Sequence, residues 1–302
     1  MRLGIQIDAS RPIDEVVAFV RRARDAGFAS AWSSQIFAGD TLTQLAVVGR
    51  EVDAIELGTS VVPVQPRHAE VLALQARTVQ EVIGGRLTLG IGLSHQVVVE
   101  HLWGLRFERP AAYMAEYLDA LLPMVEGKPV DVHGEFVTAV QPGRIGPDLE
   151  RAPSVILAAL GPRMLELAGS RTDGTTTWMT GITTLREYVV PTLCAAAADA
   201  GRASPRVVAK VPFCLTDDRA AAAERIDAAL SMYTQLPSYR SVLDKEGAEG
   251  ASDVSIIGPA AALEEGLAEL ADAGVTDAVV TLAGNAADRA ATLEFACELA
   301  AR

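Results

Sequence analysis

The stretch ELGTSVVPVQPRHAEVLALQARTVQEVIGGRLTLGIGLSHQ, residues 56–96, decides the fold of this chain. Its β-branched opening predicts a buried strand over residues 55–64, and apolar residues from Leu72 to Ile83 then recur at helical spacing. The glycine pair that follows predicts the end of this helix, and residues 86–92 predict a second buried strand. Strand, helix and strand together indicate a βαβ unit, which requires a parallel sheet and a right-handed crossover.

The same alternation of strand and helix runs through the whole sequence. We predict strands at residues 3–7, 31–35, 55–64, 86–92, 154–159, 175–178, 206–215 and 277–282. Eight strands, each followed by a helix, predict an α/β fold of the (β/α)8 TIM barrel type, whose active sites lie at the carboxyl ends of the strands. The alternative is an open doubly wound sheet, which would carry a glycine-rich nucleotide turn after its first strand; residues 8–10 contain no glycine.

Residues 1–302 are predicted to form a single domain with two segments outside the βα repeat. Proline and glycine punctuate residues 127–151, which predicts a hairpin or another excursion. Residues 217–255, after the seventh strand, are too many for an ordinary crossover, so we predict an insertion that folds over the site as a lid. The sequence from Thr184 to Glu187 predicts a capping box at the start of the helix that follows the sixth strand.

The composition argues against several classes of protein. Hydrophobic residues make up 50% of the chain, and 26 basic against 39 acidic residues leave a net charge of −13, which argues against a nucleic-acid partner. Cys194, Cys214 and Cys297 are widely separated, so neither a disulfide framework nor a zinc cluster is expected. No apolar run reaches the roughly twenty residues of a membrane helix, and the N-terminus does not resemble a signal peptide. We therefore expect a cytoplasmic protein with no membrane partner.

The common cofactor and catalytic motifs are missing from the sequence. Gly90-Ile-Gly92 continues as Leu-Ser-His and is no dinucleotide fingerprint, while Gly127-Lys128 runs into proline and forms no P-loop. The Gly-x-Ser-x-Gly elbow of serine hydrolases does not occur. With 4 histidines and no His-Glu-x-x-His or paired-cysteine motif, we expect no metal site.

The candidate functional residues lie at the ends of predicted strands. Thr59, Ser60 and Val61 follow a glycine, where the backbone can approach a planar ligand, although a strand that needs small residues for packing has the same composition. Ser94 and His95 follow the fourth strand, and histidine can hydrogen-bond a ligand or transfer a proton near neutral pH. A loop histidine bonded to backbone groups is the structural alternative.

Three further strand ends carry candidates. The turn after the fifth strand consists of Ala159, Leu160, Gly161, Pro162 and Arg163. Free backbone amides at such a helix start, with one arginine, can bind an anion, although proline there is also ordinary helix initiation. Ser34 and Gln35 end the second strand. Trp178 ends the sixth strand, and its indole could wall an aromatic cofactor or simply pack.

Six segments match one superfamily in their order and spacing. They are AGFASAWSSQIF (26–37), ELGTSVVPVQPRH (56–68), GGRLTLGIGLSHQVVVEHLWGL (84–105), RPAAYMAEYL (109–118), ILAALGPRMLELAG (156–169) and DGTTTWMTG (173–181). They lie between residues 26 and 181 and resemble the luciferase-like monooxygenase superfamily of flavin and deazaflavin proteins, a resemblance that covers nearly the whole chain. The resemblance is greatest to its actinobacterial branch of oxidoreductases that use the deazaflavin coenzyme F420.

The resemblance implies a (β/α)8 barrel, usually a homodimer, that binds F420 at the carboxyl end of its strands and acts on a small-molecule substrate. It implies a cis peptide bond at Ser60–Val61, on a bulge of the third strand that contacts the cofactor ring. It also assigns the turn at residues 159–163 to the cofactor phosphate and tail. The expected cofactor contacts are therefore Ser34, Gln35, Thr59, Ser60, Val61, Ser94, His95, Ala159, Leu160, Gly161, Pro162, Arg163 and Trp178.

Two positions depart from the pattern of the sugar-phosphate dehydrogenases in this superfamily. Those enzymes carry an Asp-His pair after the second strand, where this chain has Gln35 and Ile36, and a glutamate after the fourth, where it has His95. The base expected for oxidising a sugar alcohol is missing, so the resemblance implies hydride transfer from the reduced deazaflavin to an enone, imine or similar acceptor. His95 and Gln35 are the residues expected at the reaction centre.

Two other functions fit the same residues. An FMN-dependent monooxygenase would use the same third-strand bulge and the same phosphate turn. A deazaflavin-binding protein without turnover would account for the missing Asp-His pair.

Overall fold

The computed structural model describes residues 1–302, in which parallel strands form a closed barrel and helices surround it. The strands are β1 (Arg2–Gln6), β2 (Ser30–Ser33), β3 (Glu56–Thr59), β4 (Val62–Pro63), β5 (Leu87–Gly92), β6 (Val130–His133), β7 (Thr138–Gln141), β8 (Ser154–Ala158), β9 (Gly174–Trp178), β10 (Arg206–Leu215), β11 (Ile256–Gly258) and β12 (Asp277–Leu282). The α-helices are α1 (Ile13–Asp25), α2 (Thr41–Glu51), α3 (Ala69–Val82), α4 (Pro110–Val125), α5 (Pro162–Arg171), α6 (Ile182–Thr184), α7 (Val190–Asp199), α8 (Arg219–Thr234), α9 (Pro237–Glu246), α10 (Ala260–Asp272) and α11 (Ala286–Ala300). None of them combines the length and the apolar composition that crossing a bilayer requires.

Eight strand positions close the barrel. Each strand is paired in parallel with the next in the order β1, β2, β3, β5, β8, β9, β10 and β12, and β12 returns to β1. β4 continues the third position and pairs with the end of β5. The predicted (β/α)8 barrel is therefore confirmed.

The third barrel strand is interrupted, although its β-branched sequence predicts one continuous strand. Between β3 and β4 the chain contains a cis peptide bond at Ser60–Val61, as the resemblance implies. The bulge lies so close to β5 that a Cβ atom at Gly90 would overlap the Thr59 carbonyl oxygen. Glycine at position 90 is therefore required by the close approach of two strands.

Side chains inside the barrel form layers, because residues two apart on a strand point the same way. The middle layer is an apolar cluster of Trp32, Ile156, Val208 and Val279. Two residues earlier on the same strands lie Ser30, Ser154, Arg206 and Asp277. Two residues later lie Ser34, Ala158, Lys210 and Thr281, which we call the barrel floor. The barrel floor faces the carboxyl ends of the strands, where the sequence predicts the site.

An ionic network closes the opposite end of the barrel. The Arg206 guanidinium contacts Asp277 at 2.7 Å and Glu56 at 2.8 Å. Arg2 also contacts Glu56, at 2.6 Å. These pairs tie together strands that are far apart in sequence, because parallel strands bring their amino-terminal ends to one edge.

The insertion after β10 covers part of the carboxyl end of the barrel. It contains α8, α9, a 3-10 turn (Ser252–Val254) and β11. β11 pairs in parallel with the carboxyl end of β10. β11 is too short to be predicted from its sequence pattern. The insertion has a small apolar cluster of its own, in which Ala222, Ile226 and Leu243 pack with Met179 from the end of β9.

The helix after β9 begins earlier than predicted. Its first residue is Ile182, so the capping box predicted from Thr184 to Glu187 is wrong. Instead, the Glu246 carboxylate of α9 accepts hydrogen bonds from the backbone N–H groups of Thr183 (3.1 Å) and Thr184 (2.6 Å). The carboxylate that satisfies this helix start comes from the insertion, which local sequence spacing cannot show.

Residues 127–151 contain an antiparallel hairpin, β6 with β7. The Glu116 carboxylate on α4 accepts hydrogen bonds from the backbone N–H groups of Phe136 at 2.6 Å and Val137 at 2.9 Å. The hairpin turn is therefore held by a helix of the barrel wall.

Candidate functional site

Two adjoining cavities open at the carboxyl end of the barrel. The broad cavity, about 1150 Å³, lies beside β1, β2 and α2, and the narrow cavity, about 640 Å³, lies beside β5, β8 and α5. Both cavities are lined by Ser60, Val61, Ser94, His95, Trp178, Lys210 and Tyr239, which we call the junction. The cis peptide bond therefore lies where the two cavities meet.

Most of the residues predicted for the site line these cavities. Ser34 and Gln35 line the broad cavity, and Leu160 and Gly161 line the narrow one. The candidates at the junction are Ser60, Val61, Ser94, His95 and Trp178. The structure thus brings together residues from five separate strand ends.

Four predicted residues do not line either cavity: Thr59, Ala159, Pro162 and Arg163. Thr59 is fully buried, and its hydroxyl donates to the Gly90 carbonyl at 2.7 Å and accepts from the Gly90 N–H at 2.8 Å. Thr59 therefore fixes the bulge against β5. Ala159 is buried below the turn, and Pro162 and Arg163 are exposed at the start of α5.

His95 lies against the insertion. Its ring centroid is 5.6 Å from that of Tyr239 and 6.4 Å from that of Tyr233, and burial lowers the pKa of the imidazole. Ser94, the preceding residue, has a left-handed backbone with φ of 59°, a conformation that is costly for a residue with a side chain. This turn places the His95 ring at the junction. Because burial lowers its pKa, the imidazole is neutral at pH 7.

Gln35 is held by the start of α2. Its side-chain oxygen accepts a hydrogen bond from the Thr41 N–H at 2.9 Å, and its own N–H donates to the Val61 carbonyl at 3.1 Å. The amide nitrogen remains available to a ligand in the broad cavity. Gln35 thus links the cis-peptide bulge to the next helix.

Lys210 is the site residue that the sequence analysis missed. It lies in the middle of β10, is 9% exposed, and its ammonium lies 5.1 Å from the centroid of the Trp178 ring. Nζ donates to Ser34 Oγ at 3.0 Å and to the Ser60 carbonyl at 3.3 Å. Burial with no carboxylate partner lowers the pKa of Lys210 to about 7. The signal in the sequence was the alternation of Arg206, Val208 and Lys210, which places the lysine inside the barrel.

The carboxylates that line the cavities are engaged with other side chains. Asp8 accepts from the Ser10 hydroxyl at 2.6 Å and Asp40 accepts from Arg67 at 2.7 Å. Glu100, in the narrow cavity, accepts from the Gln96 amide at 3.0 Å. None of the three belongs to the junction, and no three His, Cys, Asp or Glu residues are placed to hold a metal ion. The junction therefore carries proton donors and neutral groups.

The chain matches a family model described as luciferase-like monooxygenase over residues 1–294. It is 30% identical over 255 residues to a putative coenzyme F420-dependent oxidoreductase of Mycobacterium tuberculosis, covering 77% of this chain and 72% of the relative. It is 26% identical over 266 residues to a 5,10-methylenetetrahydromethanopterin reductase of Methanolobus tindarius, covering 85% and 78% of the two chains.

A solved structure has the same fold. The coenzyme F420 dependent tetrahydromethanopterin reductase from Methanopyrus kandleri superposes with a TM-score of 0.83 at 21% identity, covering 100% of this chain and 97% of that one. At that identity the likeness shows the fold alone, but the family model spans nearly the full sequence. The chain therefore belongs to the luciferase-like monooxygenase family.

Proposed function

We propose that this protein is an F420-dependent reductase that passes a hydride from reduced deazaflavin to an enone, imine or similar acceptor. Both sequence relatives described above carry names of oxidoreductases, one of them explicitly linked to coenzyme F420. When bound, the reduced deazaflavin supplies the hydride, and the protein supplies orientation and a proton.

The narrow cavity fits the ring of such a cofactor. Ser60 Oγ, Thr176 Oγ1 and Thr177 Oγ1 are buried, lack hydrogen-bond partners within the chain, and belong to residues that line this cavity. A deazaflavin ring edge carries carbonyl and N–H groups, which hydroxyls can serve as donors or acceptors. These residues would hold the ring beside the Ser60–Val61 bulge.

The start of α5 fits the cofactor phosphate. Gly161 is its N-cap residue and has no side chain to bond the free amides of the first turn. A Cβ atom placed on Gly161 would meet nothing within 4 Å, so the space beside it is open. Helix amino termini bind phosphate through such amides and the helix dipole.

The observation that carries the reductase assignment is the chemistry of the junction. Alcohol oxidation needs a group that accepts a proton from the substrate hydroxyl, and a carboxylate is a common choice. The junction holds the Lys210 ammonium and no carboxylate, since Asp8, Asp40 and Glu100 lie outside it and are engaged with other side chains. A site that offers protons beside a hydride donor supports reduction.

Titration of the purified protein with F420 and, separately, with FMN tests this proposal. We expect F420 fluorescence to report saturable binding that is at least tenfold tighter than that of FMN. Reduced F420 should then be oxidised by benzalacetone, an aryl enone, or by 1-pyrroline, a cyclic imine.

Two results would contradict the proposal. Tight binding of FMN with no binding of F420 would indicate an FMN-dependent monooxygenase. Binding of F420 with no turnover of either acceptor would indicate a binding protein without this activity.

We also propose that the protein is a cytoplasmic homodimer. The three cysteines are all free, as in a reducing compartment. Exposed apolar side chains on α2 and α3, namely Val47, Val71 and Leu74, offer a surface for a second copy.

A further inference from the structure

Lys210 lines both cavities and is buried. It belongs to the barrel floor. Val208, two residues earlier on β10, belongs to the apolar middle layer of the barrel. Its Nζ contacts only neutral groups, the Ser34 hydroxyl and the Ser60 carbonyl. A buried ammonium usually has a carboxylate partner, so its absence here needs an explanation beyond packing.

The surroundings of Lys210 have unused hydrogen-bonding capacity. An ammonium group has three donors, and the two contacts to Ser34 and Ser60 leave one for the cavity. The hydroxyls Ser60 Oγ and Thr281 Oγ1, which can donate, are buried without partners, and their residues line the broad cavity with Lys210. A polar atom of a ligand placed here would satisfy several groups at once.

We propose that Lys210 binds the oxygen or nitrogen of the acceptor's polarised double bond and donates a proton to it during reduction. This inference rests on the proposed reductase function. For an enone, a new C–H bond forms at the β-carbon from the hydride of the reduced deazaflavin, which is thereby oxidised. The C=C electron pair shifts to the bond between the α-carbon and the carbonyl carbon, and the C=O electron pair moves to the oxygen. An N–H bond of Lys210 breaks as the O–H bond of the enol forms, and solvent then reprotonates the amine. The enol gains a proton from water at its α-carbon and loses its O–H proton to water, which gives the saturated ketone.

The other titratable groups near the junction are less suited to this step. His95 is neutral at pH 7, since burial lowers its pKa, and burial raises the pKa of Tyr233 and Tyr239. The other charged groups that line the cavities are exposed, as Asp8 and Arg11 are, or half-buried and hydrogen-bonded to other side chains, as Asp40 and Glu100 are. Lys210, whose pKa burial lowers to about 7, matches the pH at which a general acid works best.

The first test compares Lys210→Met and Lys210→Arg with the parent protein, using benzalacetone and reduced F420. We expect Lys210→Met to lower kcat by about 10²- to 10⁴-fold, with the Kd for F420 changed less than about threefold. In the parent protein kcat should fall as pH rises above about 7, because the ammonium is lost. Lys210→Arg keeps the charge but does not release a proton, so it should bind the acceptor without restoring kcat.

Lys245→Met serves as the matched control, because Lys245 lies over Tyr188 and outside both cavities. A Lys210→Met variant with turnover within threefold of the parent would overturn the proposal. So would an equal loss of F420 affinity and turnover, which would make Lys210 a cofactor anchor, or a rate that rises with pH, which would make it a base.

The second test needs neither cofactor nor turnover, and therefore stays informative if the reductase assignment fails. 4-Nitrophenol mimics an enol that is losing its proton, and its phenolate absorbs at longer wavelength. At pH 6 we expect the parent protein and Lys245→Met to bind it with an increase in phenolate absorbance, and Lys210→Met to show none. Equal phenolate signals in Lys210→Met and the parent, or no signal in the parent, would show that Lys210 does not stabilise an oxyanion in the cavity.

Discussion

His95 stands at the junction with a neutral ring that makes no hydrogen bond within the chain, so its nitrogens are free for a ligand. We expect His95→Ala to lower kcat by about tenfold, since one hydrogen bond to the reacting complex is worth about 1–2 kcal/mol. The Kd for F420 should change less. His133→Ala, on the exposed hairpin, is the control. Unchanged kcat in His95→Ala would assign the ring to packing against Tyr239.

Gly161 tests the anion site at the start of α5. Its backbone is extended, with φ of −91°, and a side chain there meets no neighbour, so Gly161→Asp should fold and cap the helix. We expect F420 affinity to fall by roughly tenfold, because the carboxylate repels a phosphate a few ångströms away. Gly161→Asn provides a neutral cap of the same size. Equal affinity of the two variants for F420 would place the phosphate elsewhere.

Lys210 also makes a prediction about stability. The unfolded chain binds a proton at this residue up to about pH 10, whereas the folded chain loses it near pH 7, so the free energy of unfolding rises with pH between these values. We expect a slope of at most about 1.4 kcal/mol per pH unit from this residue. Denaturant unfolding of Lys210→Met at pH 7 and pH 9 should lack this contribution. The same slope in parent and variant would mean that Lys210 keeps its proton when buried.

At the scale of elements, Glu246 joins the insertion to the barrel. Its carboxylate accepts from two backbone N–H groups at the start of α6, as an N-cap residue would. Glu246→Ala should cost about 1 kcal/mol of unfolding free energy and speed hydrogen exchange across α8 and α9. Glu249→Ala, an exposed position at the same end of the insertion, is the control. Uniform exchange changes over the barrel would show that the contact is not local to the insertion.

The hydrophobic pattern marks the elements well because it reports burial, which is a local property of each residue. The pattern of residues 206–215 and 277–282 agrees with β10 and β12 residue for residue. Two departures from the hydrophobic pattern, one of them the bulge that the resemblance implies, involve contacts between residues distant in sequence. The bulge of the third strand packs closely against Gly90 of β5, and the start of α6 is hydrogen-bonded by Glu246, more than sixty residues away.

At the scale of the whole molecule, the proposed homodimer is testable. Exposed Val47, Val71 and Leu74 lie on neighbouring helices, and burying them would remove apolar surface from water. Sedimentation equilibrium should give twice the chain mass of 31.8 kDa. The double variant Val71→Lys, Leu74→Lys should be a monomer, whereas the variant Val140→Lys, on the hairpin, should remain a dimer. A monomeric parent protein at micromolar concentration would contradict the proposal.

The sequence by itself determined the barrel, the positions of its strands and most of the residues at the junction. Parallel strands bring their carboxyl ends to one face, so strand order along the chain is enough to gather Ser60, Ser94, His95 and Trp178. The bulge followed from the family resemblance, whose six segments extend from residue 26 to residue 181.

Only the tertiary structure decided what each of these groups can do. From its residue type, Lys210 would be expected on the surface. It is a buried ammonium without a carboxylate partner only because the barrel closes around it. Thr59 is predicted from the sequence to contact a ligand, but its hydroxyl is hydrogen-bonded to the carbonyl and N–H groups of Gly90. Charge state and free hydrogen bonds depend on neighbours from distant parts of the chain, and spacing along one chain does not carry that information.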